Sequence, residues 1–406
     1  MKKQIKRIFA AVACAIIVLS AFCINSSALS AVTTESFDYS DSRVICIAHR
    51  GDWQSFPENS AQAIGAASEY DVISVDIGVT ADSEIVLFAD ETIDRMCCDS
   101  DGNAVSGRLG DKTLAELKEF YLRRGNGSGD GVKTDCKIAT LEEGARSAGE
   151  ALLMLNLTAD ELEPTLSEIE RLGIADKVVL RFDEKASKII ELKNSGNLPQ
   201  VVGNYQGNII FLATNAVKKC FNSDIKTVEL GSTNGHGVLY DNFMMKRFAG
   251  NGRAMVSMVD GRCGKRTDNE TGWDNLIATG YSVIETDYPK QLTEYIENLE
   301  YARGELERYL DLYADTDLAA YTTDSENAFK KAVTEAETAL GGLCSLSQAN
   351  DARNALQSAY NNLTVGEKKA VTLKFEFTPG RAIAVILCGA AFILSQIYLY
   401  KKKIKK

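Results

Sequence analysis

Eight short segments rich in β-branched and other apolar residues recur between residues 44 and 286, and each is followed by a stretch with helical character. This alternation predicts βα units arranged around a parallel sheet. Eight such units over roughly 250 residues fit a closed α/β fold, the (β/α)8 or TIM barrel, with a doubly wound open sheet as the alternative. The predicted strands are 44–48, 72–77, 151–157, 178–182, 200–205, 227–230, 254–259 and 281–286.

A barrel brings the carboxyl ends of all its strands to one face, where enzymes of this fold place their active sites. Polar residues stand at or just after several predicted strand ends, and a barrel would arrange them around one cavity: His49, Asp76, Asn156, His236 and Asp287. His49 and His236 are the only histidines in the chain, so a mechanism that needs two histidines must use both.

The dipeptide His49-Arg50 lies at the end of the first predicted strand. A histidine can act as a general acid or base, and an adjacent guanidinium can clamp a phosphoryl group through paired hydrogen bonds. The sequence therefore predicts that His49 and Arg50 are the catalytic residues of a phosphodiester site, where Arg50 also binds the substrate.

Motifs within residues 44–300 resemble those of the glycerophosphodiester phosphodiesterase family, in the same order along the chain. They are His49-Arg50-Gly51 with Pro57-Glu58-Asn59-Ser60 and Ala63, Thr80-Ala81-Asp82, Ile93-Asp94-Arg95, Thr113-Leu114-Ala115-Glu116-Leu117, Lys137-Ile138-Ala139-Thr140-Leu141-Glu142-Glu143 and Thr286-Asp287-Tyr288-Pro289. The resemblance implies a TIM barrel over residues 43–300 that hydrolyses glycerophospholipid head-group esters with a divalent metal, Ca²⁺ or Mg²⁺.

The chain departs from the family pattern on two strands that carry metal ligands in the family. The family's Glu-x-Asp motif on the second strand becomes Ser-x-Asp, so Ser74 replaces the glutamate and only Asp76 remains. The Glu-x-Lys motif on the next strand becomes Asn-x-Thr, at Asn156 and Thr158. Two carboxylates and a lysine are missing, and Ser74, Asn156 and Thr158 are degenerate positions.

A fourth degenerate position is Ala89, which stands where the family has its second catalytic histidine; Ser257 is the nearest match to a tryptophan expected near the seventh strand. Asp76 and Glu58 remain as metal ligands. Hard divalent cations need several anionic oxygens, so the sequence predicts that the metal binds weakly or is absent. Loss of an acid–base partner lowers the rate by a further factor of about 10²–10⁴.

These observations favour a catalytically degenerate protein that binds a phosphodiester small molecule or a cell-envelope polymer without hydrolysing it. The predicted substrate-binding residues are Arg50, Glu58, Asn59, Asn156 and His236. An active phosphodiesterase with an altered metal site is the first alternative, in which His236 replaces the missing histidine.

The second alternative is a structural cell-surface protein that has no ligand. In that case His49 is hydrogen-bonded in the barrel mouth, Arg50 pairs with Asp76 or Glu58, and Asn59 caps a helix.

The two ends of the chain resemble membrane-targeting segments. A secretory signal peptide is predicted over residues 1–31, because basic residues precede an apolar run over 8–24 and small residues follow it. An uncleaved anchor is the alternative.

Residues 382–400 carry no charge and would extend about 28 Å as a helix, close to the ~30 Å core of a bilayer. The lysine-rich tail 401–406 would stay cytoplasmic. We expect a single-pass cell-membrane protein with its barrel outside, joined through a linker at 366–381.

The formal net charge is −11, and nine of the 45 basic residues lie in the two terminal segments, so the body between them is more acidic still. A surface of that sign repels nucleic acid at long range. We therefore exclude nucleic acid as a partner.

Residues 301–365 change character, because glycine becomes rare and apolar residues follow helical spacing up to residue 313 and again in 325–340 and 347–363. This predicts a three-helix bundle. Its alanine and leucine pattern resembles the FIVAR repeats of bacterial cell-surface proteins, which implies a spacer or a sugar-binding module, with a spacer preferred. We expect the first helix to lead away from the barrel, with Asp324 or Ser325 and Ser347 as N-caps.

Overall fold

A computed structural model describes residues 32–38, 43–128, 131–196, 198–207, 209–231, 242–259 and 267–366. The predicted signal peptide, the segment 382–400 and the basic tail lie outside these ranges, as does His236. Within the described ranges, no helix combines the length and apolar character needed to cross a bilayer.

Eight parallel strands form a closed barrel, which confirms the predicted α/β barrel over the open-sheet alternative. The first strand pairs with both the second and the last, which closes the sheet. Each strand begins and ends within two residues of its predicted limits. The strands are Ile45–His49, Val72–Val79, Leu152–Leu157, Val178–Phe182, Gln200–Gln206, Thr227–Gly231, Arg253–Ser257 and Val283–Thr286.

Residues two apart on each strand point to the same side, so the inward residues form successive layers along the barrel. The layers near the amino ends are apolar, and those near the carboxyl ends are polar. Toward the amino ends of the strands, buried apolar residues form one cluster: Ile45, Ile47, Val72, Leu152, Met154, Val179, Val202, Met255 and Val283. Toward the carboxyl ends, the inward positions carry polar side chains: His49, Ser74, Asn156, Arg181, Asn204, Glu229, Ser257 and Glu285.

A short helix, Thr34–Asp38, covers the amino end of the barrel. Phe37 is fully buried in the apolar interior cluster, and its carbonyl accepts a 3.0 Å hydrogen bond from the Thr227 hydroxyl. The polar interior layer therefore faces the opposite, carboxyl end.

Helices surround the barrel and continue into a bundle. Beyond the first helix they are Ala61–Ala66, Leu114–Glu119, Leu141–Ala148, Leu162–Leu172, Ala186–Ser195, Ile210–Asn222, Asn242–Met245, Glu270–Thr279, Pro289–Tyr313, Thr323–Leu340 and Leu346–Asn361.

Two of the family-like motifs begin helices. Thr113 and Thr140 are N-caps whose hydroxyls accept from the backbone N–H groups of Glu116 and Glu143, and those glutamates bond back to the caps. Such capping boxes satisfy backbone groups that a helix start leaves without partners. These two motifs therefore fix local structure.

Residues between the second and third barrel strands form a small subdomain at the barrel mouth. Strand Ile85–Leu87 pairs antiparallel with the second barrel strand, and Cys97–Cys98 pairs with Tyr121–Leu122. Val86, Ile93 and Leu109 belong to its separate apolar core. This core anchors the loops that carry Ala89, Asp90, Arg95 and Arg108.

The helix Pro289–Tyr313 is continuous and crosses the predicted boundary at residue 300. Leu292 and Leu299 pack in the apolar layer between the barrel strands and the surrounding helices. Leu306 and Tyr313 pack in the core of the three-helix bundle. The expectation that this helix leads away from the barrel was therefore wrong for its first half, because that half covers the outside of the barrel.

The last helix is joined to the barrel through Asp274. This carboxylate accepts hydrogen bonds from the Tyr295 hydroxyl (2.8 Å), the Ser345 hydroxyl (3.1 Å) and the Ser347 backbone (3.0 Å). The N-cap of this helix is Ser345, and the N-cap of the preceding helix is Thr322. The predicted caps were displaced by two to three residues because the helices begin earlier than their apolar patterns.

Candidate functional site at the barrel mouth

The turn after the first strand places His49 and Arg50 at the carboxyl end of the barrel. Arg50 adopts a left-handed conformation (φ 56°) and is followed by Gly51 at φ 77°. A Cβ atom at Gly51 would lie 2.6 Å from the Ala63 carbonyl carbon, so only glycine fits there. The Arg50 N–H donates to the Ser74 carbonyl (2.9 Å), and this fixes the turn against the second strand.

His49 is held by Asp287, from the turn after the last strand. Its Nδ1 lies 2.8 Å from Asp287 Oδ1, which also accepts from Trp53 Nε1 at 2.9 Å. Burial works to lower the pKa of His49, but the hydrogen bond to Asp287 and the charge of Glu285 outweigh it and raise the pKa above its usual value. The site therefore favours the charged imidazolium.

Arg50 pairs with two carboxylates, as one alternative predicted. Its Nε donates to Asp76 Oδ2 (2.7 Å) and its Nη1 to Glu58 Oε2 (3.2 Å). Asn59 donates to the same Asp76 oxygen (3.0 Å), and Asn156 donates to the other one (3.2 Å). Burial works to raise the pKa of Asp76, but the Arg50 charge and these amide bonds outweigh it, so the pKa is lowered.

Asn59 does not cap the helix Ala61–Ala66, because Ser60 is the N-cap. The Asn59 backbone is left-handed (φ 56°), and its side chain accepts from the Asp76 N–H (3.0 Å) while it donates to the Asp76 carboxylate. Asn59 therefore orients Asp76.

Arg95 completes the pairing of Glu58. Its Nη2 donates to Glu58 Oε1 (2.6 Å), and its Nε donates to Asp90 Oδ2 (2.7 Å). The Glu58 side chain is only 2% exposed, and both of its carboxylate oxygens are paired, one with Arg50 and the other with Arg95.

A second ionic network fills the polar layer of the barrel interior. Arg181 forms a two-bond pair with Glu229, at 2.7 and 2.8 Å, and its Nη1 lies 3.1 Å from Glu285 Oε2. Both carboxylates are fully buried. Burial works to raise the pKa of Glu285, but the charges of Arg181 and His49 outweigh it and lower the pKa to about 2.

A cavity of about 420 Å³ opens above these networks. Its floor includes His49, Arg50, Asp76, Asn156 and Arg181, and the four acidic residues that also line it are Asp90, Glu91, Glu161 and Asp183, with Arg108 beside them. Two degenerate positions, Ala89 and Thr158, also line the cavity. The cavity therefore combines a floor of cationic groups that are already paired with carboxylates and a mostly acidic rim.

The predicted metal ligands do not form a cation site. Each oxygen of Asp76 and Glu58 already accepts a hydrogen bond from a guanidinium or an amide. Among the described residues, no group of three or more His, Cys, Asp or Glu side chains is arranged to hold a metal. A divalent ion at Asp76 would have to displace Arg50 or Asn156, so these donors do not fit the metal that the family resemblance implies.

His49, Asp76, Asn156 and Asp287 lie at the same end of the barrel, while His236 lies outside the described residues. The sequence interpretation did not assign a role to Arg95, Arg181, Glu229 or Glu285. The sequence held a signal for the last three, because each lies two positions after a buried residue of its own strand, namely Val179, Thr227 and Val283, and so points to the same side.

The fold and the site together define a closed α/β barrel with a histidine–carboxylate pair and arginine–carboxylate networks at the carboxyl ends of its strands. A family model described as the glycerophosphoryl diester phosphodiesterase family matches residues 49–251, half of the chain. The chain belongs to this family.

Individual relatives match shorter stretches. The chain is 36% identical over 86 residues to the uncharacterized protein y4eD of Sinorhizobium fredii, which covers 21% of this chain and 21% of that protein. It is 38% identical over 80 residues to a glycerophosphodiester phosphodiesterase of Caldanaerobacter subterraneus, which covers 19% of this chain and 30% of that protein. Both matches span less than a third of the relative's length.

Among solved structures, a glycerophosphoryl diester phosphodiesterase from Parabacteroides distasonis is similar with a TM-score of 0.52 and 21% identity. The similarity covers 66% of this chain and 93% of that one. At this identity, the likeness shows the fold.

We predict that Asp287→Asn lowers the pKa of His49, because the neutral amide removes the charge that stabilises the imidazolium. The chain has two histidines, so NMR titration of the imidazole C–H signals, assigned with His236→Ala, measures this directly. Because folding raises the pKa, the pair stabilises the fold fully below the unfolded value of about 6.5, and the contribution is lost as pH rises through the folded value.

The matched control is Asp311→Asn, an exposed carboxylate on the helix Pro289–Tyr313. It should leave the His49 titration unchanged. An identical His49 pKa in the wild type and in Asp287→Asn would contradict the proposed pairing.

Proposed function

We propose that this protein binds a glycerophosphodiester in the barrel-mouth cavity and hydrolyses it poorly or not at all. The observation that carries the proposal is the pairing of Asp76 and Glu58, whose carboxylate oxygens are all engaged by Arg50, Arg95, Asn59 or Asn156. No carboxylate of this pair is left to organise a metal-dependent reaction.

Hydrolysis of a phosphodiester needs one group to activate the nucleophile and another to protonate the leaving oxygen. His49, held as an imidazolium by Asp287, can serve as the acid. Ala89 lines the same cavity at the position of the family's second histidine and offers no base. Loss of such a partner lowers turnover by about 10²–10⁴-fold.

Binding makes smaller demands than hydrolysis. His49 keeps Nε2 for a ligand, and its imidazolium lies at the cavity floor beside Arg50 and Arg181, whose guanidinium groups are paired with carboxylates. A phosphodiester anion is attracted there. The acidic rim, with Glu91, Glu161 and Asp183, favours a diester whose other end carries an ammonium group.

We predict that the detergent-solubilised full-length chain binds glycerophosphocholine more tightly than glycerophosphoglycerol in calorimetry and releases no glycerol 3-phosphate above background. His49→Ala should weaken binding by roughly tenfold or more, because a charge-assisted hydrogen bond is lost. Arg308→Ala, on the bundle, is the control and should bind like the wild type.

A triple variant, Ser74→Glu with Ala89→His and Asn156→Glu, restores the family pattern and should gain Ca²⁺-dependent turnover if the site has degenerated. Wild-type turnover that His49→Ala abolishes would contradict the proposal and make the protein a working hydrolase. If His236→Ala also abolished that turnover, His236 would be the replacement histidine.

We also propose that the protein is anchored in the cell membrane through residues 382–400, with the barrel on the extracytoplasmic side. The support is the uncharged length of this segment and the lysines that follow it. A chain truncated after residue 381 should move to the soluble fraction after alkaline extraction. Retention of the truncated chain in the membrane pellet would oppose this anchor.

A further inference from the structure

Asn156 lies between a carboxylate and a guanidinium on neighbouring strands. It is in register with Asp76 on one side and with Arg181 on the other. Its Nδ2 donates to Asp76 Oδ1 (3.2 Å), and its Oδ1 faces Arg181 Nη1 (3.4 Å). An amide has a donor at one end and an acceptor at the other, so it satisfies both neighbours, which a carboxylate at this position could not.

Ser74 plays the same part on the second strand. Its hydroxyl donates to Glu285 Oε1 (2.6 Å), and the residue is fully buried. A glutamate at position 74 would set two buried carboxylates against each other, and a cation would have to lie between them. The two positions where carboxylates are missing therefore carry neutral donors, and these bond to the neighbouring carboxylates Glu285 and Asp76.

The cation of this interior network is Arg181. Its side chain is 9% exposed, and its partners Glu229 and Glu285 are 1% and 0% exposed. Three guanidinium nitrogens contact the two carboxylates, and the same side chain lines the cavity floor.

We propose that Arg181 is the resident cation of this site: its guanidinium holds Glu229 and Glu285 and, through Asn156, Asp76 in an arrangement that otherwise requires a divalent ion. The site is thus assembled without a metal. This holds whether or not a phosphodiester is hydrolysed.

Two features support a guanidinium over a bound dication. Arg181 is covalently fixed on the strand Val178–Phe182, so its charge stays in place at every ion concentration. A dication at Asp76 would also lie beside Arg50, whose Nε is 2.7 Å from Asp76, and two like charges at such separations repel strongly inside a protein.

The experiment measures the midpoint of thermal unfolding of the full-length chain in detergent, in EDTA and with millimolar Ca²⁺, Mg²⁺ or Mn²⁺. A metal that binds the folded chain raises the midpoint by mass action. The wild-type midpoint should be the same in all four solutions, and titration calorimetry should show no micromolar binding of these ions.

Asn156→Asp supplies the sharp comparison, because it replaces the donor to Asp76 with a second carboxylate. Its midpoint should fall in EDTA and rise by several degrees with Ca²⁺. Asn156→Ala removes the same amide without adding charge, and its midpoint should be lower than that of the wild type and independent of Ca²⁺.

Arg181→Gln removes the resident cation and should make the midpoint rise with added dication, whereas Arg181→Lys keeps a charge and should stay insensitive. If Arg181→Gln does not fold, the two Asn156 variants decide the question. A wild-type midpoint that rises with Ca²⁺ as much as that of Asn156→Asp, or an Asn156→Asp midpoint that ignores Ca²⁺, would overturn the proposal.

Discussion

The ion pairs of Arg181 with Glu229 and Glu285 determine the rest of the barrel mouth. All three side chains leave water on folding, and such desolvation is tolerated only when charges are paired and hydrogen-bonded. Removing one partner of such a network costs about 3–5 kcal/mol, a large share of a domain's stability. The alternation of side chains along each strand turns these three residues toward the barrel interior, because the residue two positions before each of them also points inward.

The charges of this interior layer spread to the residues above it. Glu285 stays ionised beside Arg181, and its charge, together with the Asp287 hydrogen bond, favours the imidazolium form of His49. Asn156 accepts a hydrogen bond from Arg181 and donates one to Asp76, so it links the two side chains. Arg50 and Asn59 donate to the other oxygen of Asp76. A change in one member therefore alters the proton affinity and orientation of its neighbours.

The strands were predictable because their lengths and spacing repeat, and barrel closure then placed His49 near Asp287 although 238 residues separate them. The partners of Arg181 were not predictable, since Glu229 and Glu285 lie 48 and 104 residues away and only the closed barrel brings them together. The alternative in which Asn59 caps a helix was wrong, because its left-handed backbone turns the side chain toward Asp76 and leaves the cap to Ser60. The helix Pro289–Tyr313 serves two cores, which a boundary drawn from composition could not show.

We propose that Arg181 takes the organising part of the divalent metal that the family resemblance implies. Crystals of the protein soaked in Mn²⁺ and measured by anomalous scattering test this most directly. We expect no manganese peak beside Asp76, with Arg181 bound to Glu229 and Glu285. A manganese peak coordinated by Asp76, with Arg50 or Asn156 displaced, would contradict it.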